Sequence, residues 1–357
     1  MQTAYINRVA TAVPPYDVHE AFRRFAQSML HDDRRNSLLF QRMADKSGIE
    51  HRYSCLAPSN LPEGDRLDAE GFYLRCDFPD TAARMQKFEQ HAPLLAQRAV
   101  DMLQLGADRD RITHLVVTCC TGFSAPGLVL ELVERCSLSS KVERTVVGFM
   151  GCYAAINALK LAHHIVRSEA SARVLIVNLE LCTLHLQDTT DLEQMLLFLL
   201  FGDGCAASVV SAEPVGVALD SFHAVLVPNT RELITWNIGD SGFDMTLSGR
   251  VPAAIHDGMR VHADEILAGA STTSIDLWAV HPGGRTVLDA VERALELPPA
   301  ALAESREILR RYGNMSSATV MFVLNRLLGS GACGRTGCAM SFGPGLIAET
   351  LLFHTAA

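Results

Sequence analysis

Three near-continuous apolar runs limit the possible folds more than any other feature: ITHLVVTCC at 112–120, ARVLIVNLEL at 172–181 and GCAASVVSAE at 204–213. A strand that alternates apolar and polar residues can leave one face wet, whereas a run apolar throughout needs cover on both faces. Between the first two lies AAINALKLAHHIVRS at 154–168, whose apolar residues recur at helical intervals, so helices supply that cover. The alternation predicts α/β layering. The first hundred residues read instead as mostly helical and polar, with AFRRFAQSML and HAPLLAQRAVDMLQL the clearest amphipathic stretches.

A weak internal repeat adds to this. HLVVTCC is followed by Pro126-Gly127 and a helix containing Val133-Glu134-Arg135; about 160 residues later DLWAVH is followed by Pro282-Gly283 and a helix containing Val291-Glu292-Arg293. A similar shift carries Gly151-Cys152 onto Gly313-Asn314, each opening a helical run. Duplication and coincidence both account for matches this short.

The chain has 357 residues and is 48% hydrophobic, enough for a substantial core. Its formal charge of −9, from 40 acidic and 31 basic side chains, gives no basic field to hold nucleic acid. The opening MQTAYINRVATAVPPYDV breaks its apolar residues with polar ones and two prolines, so no signal peptide is expected, and the longest apolar runs fall short of a membrane span. A cytoplasmic location follows, with the ten cysteines reduced. Without a CxxC pair or a grouping of cysteines with histidines, no metal site is expected.

Four residues stand where chemistry is possible. Cys152 in VGFMGCYAAINALKLA sits where an apolar helix begins, and the helix dipole there is expected to lower a thiol pKa and favour a nucleophilic thiolate. The alternative is a buried thiol packing as a small hydrophobe. His281 ends the strand-like WAVH before PGG, placing an imidazole at a sheet edge; it either assists a neighbouring nucleophile or satisfies a buried acceptor. Asn314 in RYGNMSSATVMFVL is an N-cap or a neutral amide aimed at developing negative charge. Phe201, taken alone, is core.

These motifs in combination resemble the type III polyketide synthases, the chalcone-synthase-like branch of the thiolase superfamily. GCYAA around Cys152, LFGDGCAA around Phe201, AVHPGG around His281, YGNMSSA around Asn314 and the FGPG of Phe342, Gly343, Pro344 and Gly345 match in order and spacing over nearly the whole chain. The resemblance implies a five-layered αβαβα fold of two pseudo-duplicated halves: residues 1–213 with the nucleophilic cysteine, and 214–357 with the histidine and asparagine. It implies Cys152, His281 and Asn314 as a catalytic triad, Phe201 as gatekeeper, and Cys120, Thr121, Ala125, Cys182, His185, Met245 and Ser316 as pocket residues, with the FGPG loop serving cyclisation. A starter acyl group would pass from coenzyme A to Cys152, and His281 and Asn314 would hold malonyl-CoA as carbon dioxide leaves. Repeated extension would precede ring closure. Coenzyme A thioesters are thus substrates, no cofactor is implied, and a homodimer is expected.

The sequence also departs from the family. Of three basic residues at the coenzyme A tunnel, LFQRMADK keeps Arg42 and Lys46 but has Leu39 at the third position, which predicts weaker phosphate contact. Ala125 replaces a bulky residue, and with Cys120, Cys182 and Met245 it suggests room for an aliphatic chain, as in bacterial synthases of alkylresorcinols and alkylpyrones; the opposing reading is a wall merely repacked. Ser341 replaces the first glycine of the cyclisation loop, with altered loop freedom expected. Two rival functions are a single-step β-ketoacyl-carrier-protein synthase, disfavoured by FGPG and LFGDG, and a non-catalytic acyl-binding protein.

Overall fold

A computed structural model describes residues 2–356 apart from 62, 330 and 332. In its first half, strand β1 (Tyr5–Ala12) is followed by α1 (Thr81–Met102), β2 (His114–Cys119), α2 (Gly127–Arg135), β3 (Glu143–Gly148), α3 (Ala154–Ser168), β4 (Arg173–Leu181) and β5 (Asp203–Ser211). The second half runs β6 (Val217–Leu226), α4 (Val251–Ile266), β7 (Leu277–Val280), α5 (Arg285–Ala294), α6 (Ala303–Tyr312), α7 (Thr319–Gly329), β8 (Thr336–Gly343) and β9 (Ile347–Thr355). Two N-terminal helices, His19–Met29 and Arg34–Lys46, and a hairpin of Ile234–Gly239 with Gly242–Leu247 border the site.

Among the described residues these strands form one sheet in the order β7-β8-β9-β6-β1-β5-β4-β2-β3. Each half repeats one pairing pattern. In the first, β2 lies parallel to β4, which is antiparallel to β5, itself antiparallel to β1. In the second, β7 lies parallel to β8, which is antiparallel to β9, itself antiparallel to β6. The VER helices α2 and α5 are therefore topological equivalents, and so are the helices opened after Gly151-Cys152 and Gly313-Asn314. β3 has no counterpart.

The period of two along each covered strand assigns its side chains to layers. Leu175, Val177 and Leu179 of β4 pack with Phe88, Leu95 and Val100 of α1, while Val174 and Ile176 point the other way, toward α3. In β8, Cys338, Met340 and Phe342 face α4 and α5, and Ala339 faces the layer holding α3 and α7. The result is five layers: α1 and α2, a half-sheet, α3 with α7, the second half-sheet, then α4 and α5. This is the αβαβα arrangement expected of a thiolase fold. No helix among the described residues is long and apolar enough to cross a membrane.

One strand departs from the sequence reading. Tyr5–Ala12 is not part of a helical region; it is the central strand that joins the halves by pairing Tyr5 with Ala218 and Ile6 with Val217. Its YINRVATA pattern is short and broken by Asn7 and Arg8, whose side chains bond to groups about one hundred or more residues away in sequence. The crossover beside it is tight. Asn7 Nδ2 donates to the carbonyls of Glu213 and Val215, both at 3.0 Å, and Gly216 takes φ +92° with an added Cβ only 2.1 Å from the Ile6 carbonyl oxygen. Gly216→Ala should thus lower unfolding stability by about 2 kcal/mol or more. Denaturant titration checks this, and an unchanged midpoint would contradict the constraint.

Candidate active site

Cys152 sits in a single tight turn, Gly151–Tyr153, that runs directly into α3. Gly151 makes the turn possible: at φ +69° it takes a left-handed conformation, and a Cβ there would lie 2.3 Å from Pro344 Cδ. The β8–β9 turn therefore roofs the cysteine. Gly151 N–H donates to Cys120 Sγ at 3.1 Å, and Cys152 Sγ lies 3.7 Å from Ser316 Oγ.

His281 follows β7 and is fixed by its backbone, whose N–H donates to the Met340 carbonyl at 2.7 Å. Its ring is buried, and neither ring nitrogen has a hydrogen-bond partner among the described residues. An unpaired buried imidazole is costly in a finished core, so these nitrogens are available to an incoming group. Asn314 makes the cap-like bond open to it. Its Oδ1 accepts from Ser316 N–H at 2.8 Å, as a cap does, and this turns Nδ2 toward the Gly283 carbonyl at 3.5 Å, two residues beyond His281. Backbone bonds from Asn314 N–H to Leu200 O at 2.9 Å and from Gly202 N–H to Asn314 O at 3.0 Å bracket Phe201.

Cys152, His281, Asn314 and Phe201 all line one cavity, enclosing about 850 Å³ including the part open to solvent. Cys120, Thr121, Cys182, His185, Met245, Ser316, Phe342, Gly343 and Pro344 line it too. Arg42 and Lys46 lie elsewhere, at a wider mouth with Leu39. Leu247, Val251, Gly283 and Val287 line both spaces, so the mouth and the cavity adjoin across an apolar boundary.

Residues 4–214 match the family model for the N-terminal domain of chalcone and stilbene synthases, and residues 218–357 match that for the C-terminal domain. The chain belongs to the chalcone and stilbene synthase family. As such it is a type III polyketide synthase, an acyltransferase. It is 34% identical to "Alpha-pyrone synthesis polyketide synthase-like Pks18" of Mycobacterium tuberculosis, an alignment covering 98% of this chain and 91% of that protein. It is 31% identical to bisdemethoxycurcumin synthase of Oryza sativa subsp. japonica, covering 98% and 92%. Among solved structures it resembles PKS-I of the brown alga Ectocarpus siliculosus, with TM-score 0.87, 30% identity and 99% of each chain covered. The C-terminal type III polyketide synthase domain of Steely1 from Dictyostelium shares the fold, with TM-score 0.90 at 24% identity, covering 99% of this chain and all of that one.

Within this synthase three expected placements fail. Ala125 is exposed and lines a separate surface cleft with Phe88 and Pro93, because its loop turns outward after Gly122. It adds no room to this cavity. Gly345 is also outside the wall, its N–H donating to the Ile234 carbonyl at 3.1 Å. Ser341 lies in regular strand β8, fully buried, with its hydroxyl unpartnered among the described residues, so it changes a strand rather than a loop's freedom.

Other residues of the site escaped the sequence. Trp236 Nε1–H donates to the Cys120 carbonyl at 2.7 Å, and its ring stands edge-on to His185 and Phe243, stiffening one wall. Against that wall His185, already among the expected pocket residues, is held as one tautomer: Nε2–H donates to Thr121 O at 2.7 Å and Nδ1 accepts from Phe243 N–H at 3.1 Å. Arg52, wholly buried, donates to the carbonyls of Phe201, at 2.6 Å, and Phe198. Glu180, the acidic residue inside β4, accepts from Ser317 Oγ at 2.6 Å, Thr121 Oγ1 at 2.8 Å and Cys120 N–H at 2.9 Å behind the cavity. A glutamate inside an apolar strand was the one visible signal among these.

Burial sets the protonation states. The Cys152 thiol is pushed up to about 12, chiefly by desolvation and further by Glu180, although hydrogen bonds from Ser316 and Asn314 act against this. Removal from water is the largest influence on this thiol and acts opposite to the lowering expected of a helix start. Desolvation also holds His281 down at about 3. At neutral pH the resting pair is thiol and neutral imidazole.

Glu180 is raised by burial to about 7 from an ordinary 4.5. A raised folded value means the native state holds this proton more tightly, so stability from it is complete below about pH 4.5 and is lost as pH rises through 7. Glu180→Gln cannot ionise. Its stability relative to the parent should climb across that window by at most about 1.4 kcal/mol per pH unit, read by denaturant unfolding at several pH values. A constant difference from pH 4 to 8 would disprove the assignment.

Proposed function

We propose that this synthase condenses malonyl-CoA iteratively onto a fatty acyl-CoA starter carried by Cys152 and closes the product to an alkylpyrone or alkylresorcinol. The convergence of Cys152, His281 and Asn314 on one cavity, which adjoins the cationic mouth across an apolar boundary, carries the reading. Cys152 gives its proton to an unpartnered nitrogen of His281, and the sulfur attacks the starter carbonyl, expelling the coenzyme A thiolate. The ion pair exists only once the site is occupied. Malonyl-CoA then places its thioester oxygen at N–H donors of His281 and Asn314. Loss of carbon dioxide leaves an enolate whose carbon attacks the acyl-cysteine and breaks its C–S bond. Donors fixed in a dry cavity stabilise this oxygen more than water would.

The pyrone arm draws support from the name of the mycobacterial relative. Cys120, Cys182 and Met245 give the wall soft apolar surface for an aliphatic chain, whereas Trp236 limits its extent on one side. Coenzyme A thioesters are the substrates, and no separate cofactor is required.

Purified protein given acyl-CoA and malonyl-CoA should release triketide or tetraketide pyrones or resorcinols, with a starter-derived thioester trapped on Cys152 and detected by mass spectrometry. Asn314→Ala should lose roughly 100-fold in decarboxylation rate. Turnover retained by Cys152→Ala, or a single-condensation product formed only with carrier protein, would overturn the proposal.

A homodimer fits the same reading. Edge strand β3 is largely exposed, with Val146 and the nearby Phe123 open to solvent. Light scattering at micromolar concentration should give about twice the chain mass, and a monomer would refute it.

A further inference from the structure

Leu39 leaves the Arg34–Lys46 helix with two cations at the mouth, yet a third faces them from the second half of the chain. Arg285, the first residue of α5, lines the same mouth as Leu39, Arg42 and Lys46. Its guanidinium is pinned toward them: Nη1 donates to the Lys46 carbonyl at 3.2 Å. Asp289 approaches its Nε at 3.6 Å, but that carboxylate is held more closely, at 2.7 Å, by Arg306, so Arg285 keeps charge and donors for another anion. The four residues that the mouth shares with the cavity carry no charge. Leu247, Val251, Gly283 and Val287 suit an uncharged thioester arm, and the mouth is where anionic groups on its other end meet cations.

We infer that Arg285 is a phosphate-binding residue of this synthase, gripping the coenzyme A nucleotide together with Arg42 and Lys46 and supplying the cation absent at Leu39. The inference rests on the coenzyme A thioester reading above. It runs against the expectation of weakened phosphate contact, because a charge is offered from a residue about 240 positions away in sequence. Arg285 adjoins Gly284 and Gly283, so an anion it holds is anchored beside the boundary between mouth and cavity.

Calorimetric titration of coenzyme A into the full-length protein and into Arg285→Ala, at two salt concentrations, tests the inference directly. The variant should bind about tenfold more weakly, with a shallower salt dependence. In turnover its KM for malonyl-CoA should rise by a similar factor, while that for malonyl-pantetheine, which lacks phosphates, should move less than about twofold. Adding Leu39→Lys to Arg285→Ala should recover most of the coenzyme A affinity. Equal affinity of parent and variant for coenzyme A, or equal losses with both thioesters, would overturn the role. A parent protein that binds coenzyme A but makes no condensation product would instead defeat the functional proposal and leave this binding result standing.

Discussion

Two helices whose N-terminal turns are shut away from water decide where everything else must go. α3 and α7 lie between the half-sheets, and Ala155, Ile156 and Leu159 of one and Val320, Met321 and Leu324 of the other belong to a single buried cluster. The N-terminal ends of such helices leave backbone donors without intrahelical partners. In a dry layer these must be answered by protein, and the polar residues of the middle layer gather there. Thr118 bonds Ser317 at 3.0 Å, Asn178 bonds Thr118 at 2.9 Å and Ser317 bonds Glu180 at 2.6 Å. The functional cavity opens at this same polar seam, so the site occupies the place the fold was already obliged to make polar.

That geometry determines how charge can be used. Desolvation keeps the cysteine as thiol and the imidazole neutral, each far from its ordinary value in the direction that suppresses charge. A site of this kind does not store a reactive anion. In the proposed reaction the anion forms only when a thioester is present to spread its charge. Reasoning from the helix end alone missed this because the dipole is a local property, whereas burial depends on all five layers.

Much of the architecture was legible because its signals are local. The both-face apolar runs became β2, β4 and β5; the glycine turns before Cys152 and Asn314 opened helices; and the VER repeat marked equivalent helices α2 and α5. What escaped notice is built from pairings distant in sequence. Nothing around Arg52 announces that it will hold the carbonyl of Phe201, 149 residues away, and nothing near Trp236 points to the Cys120 carbonyl, 116 residues away. Ala125 was misplaced for a related reason. Motif spacing fixes its position along the chain but not which way its loop faces.

The roof over Cys152 has a consequence for synthesis of the chain. Pro344 closes against the Gly151 turn, and it joins β8 to β9, which sits inside the sheet between β8 and β6. A chain emerging from the ribosome exposes its cysteine turn some two hundred residues before that cover exists. Until the last two strands are in place, the turn that carries the thiol lacks the Pro344 contact that covers it in the folded protein.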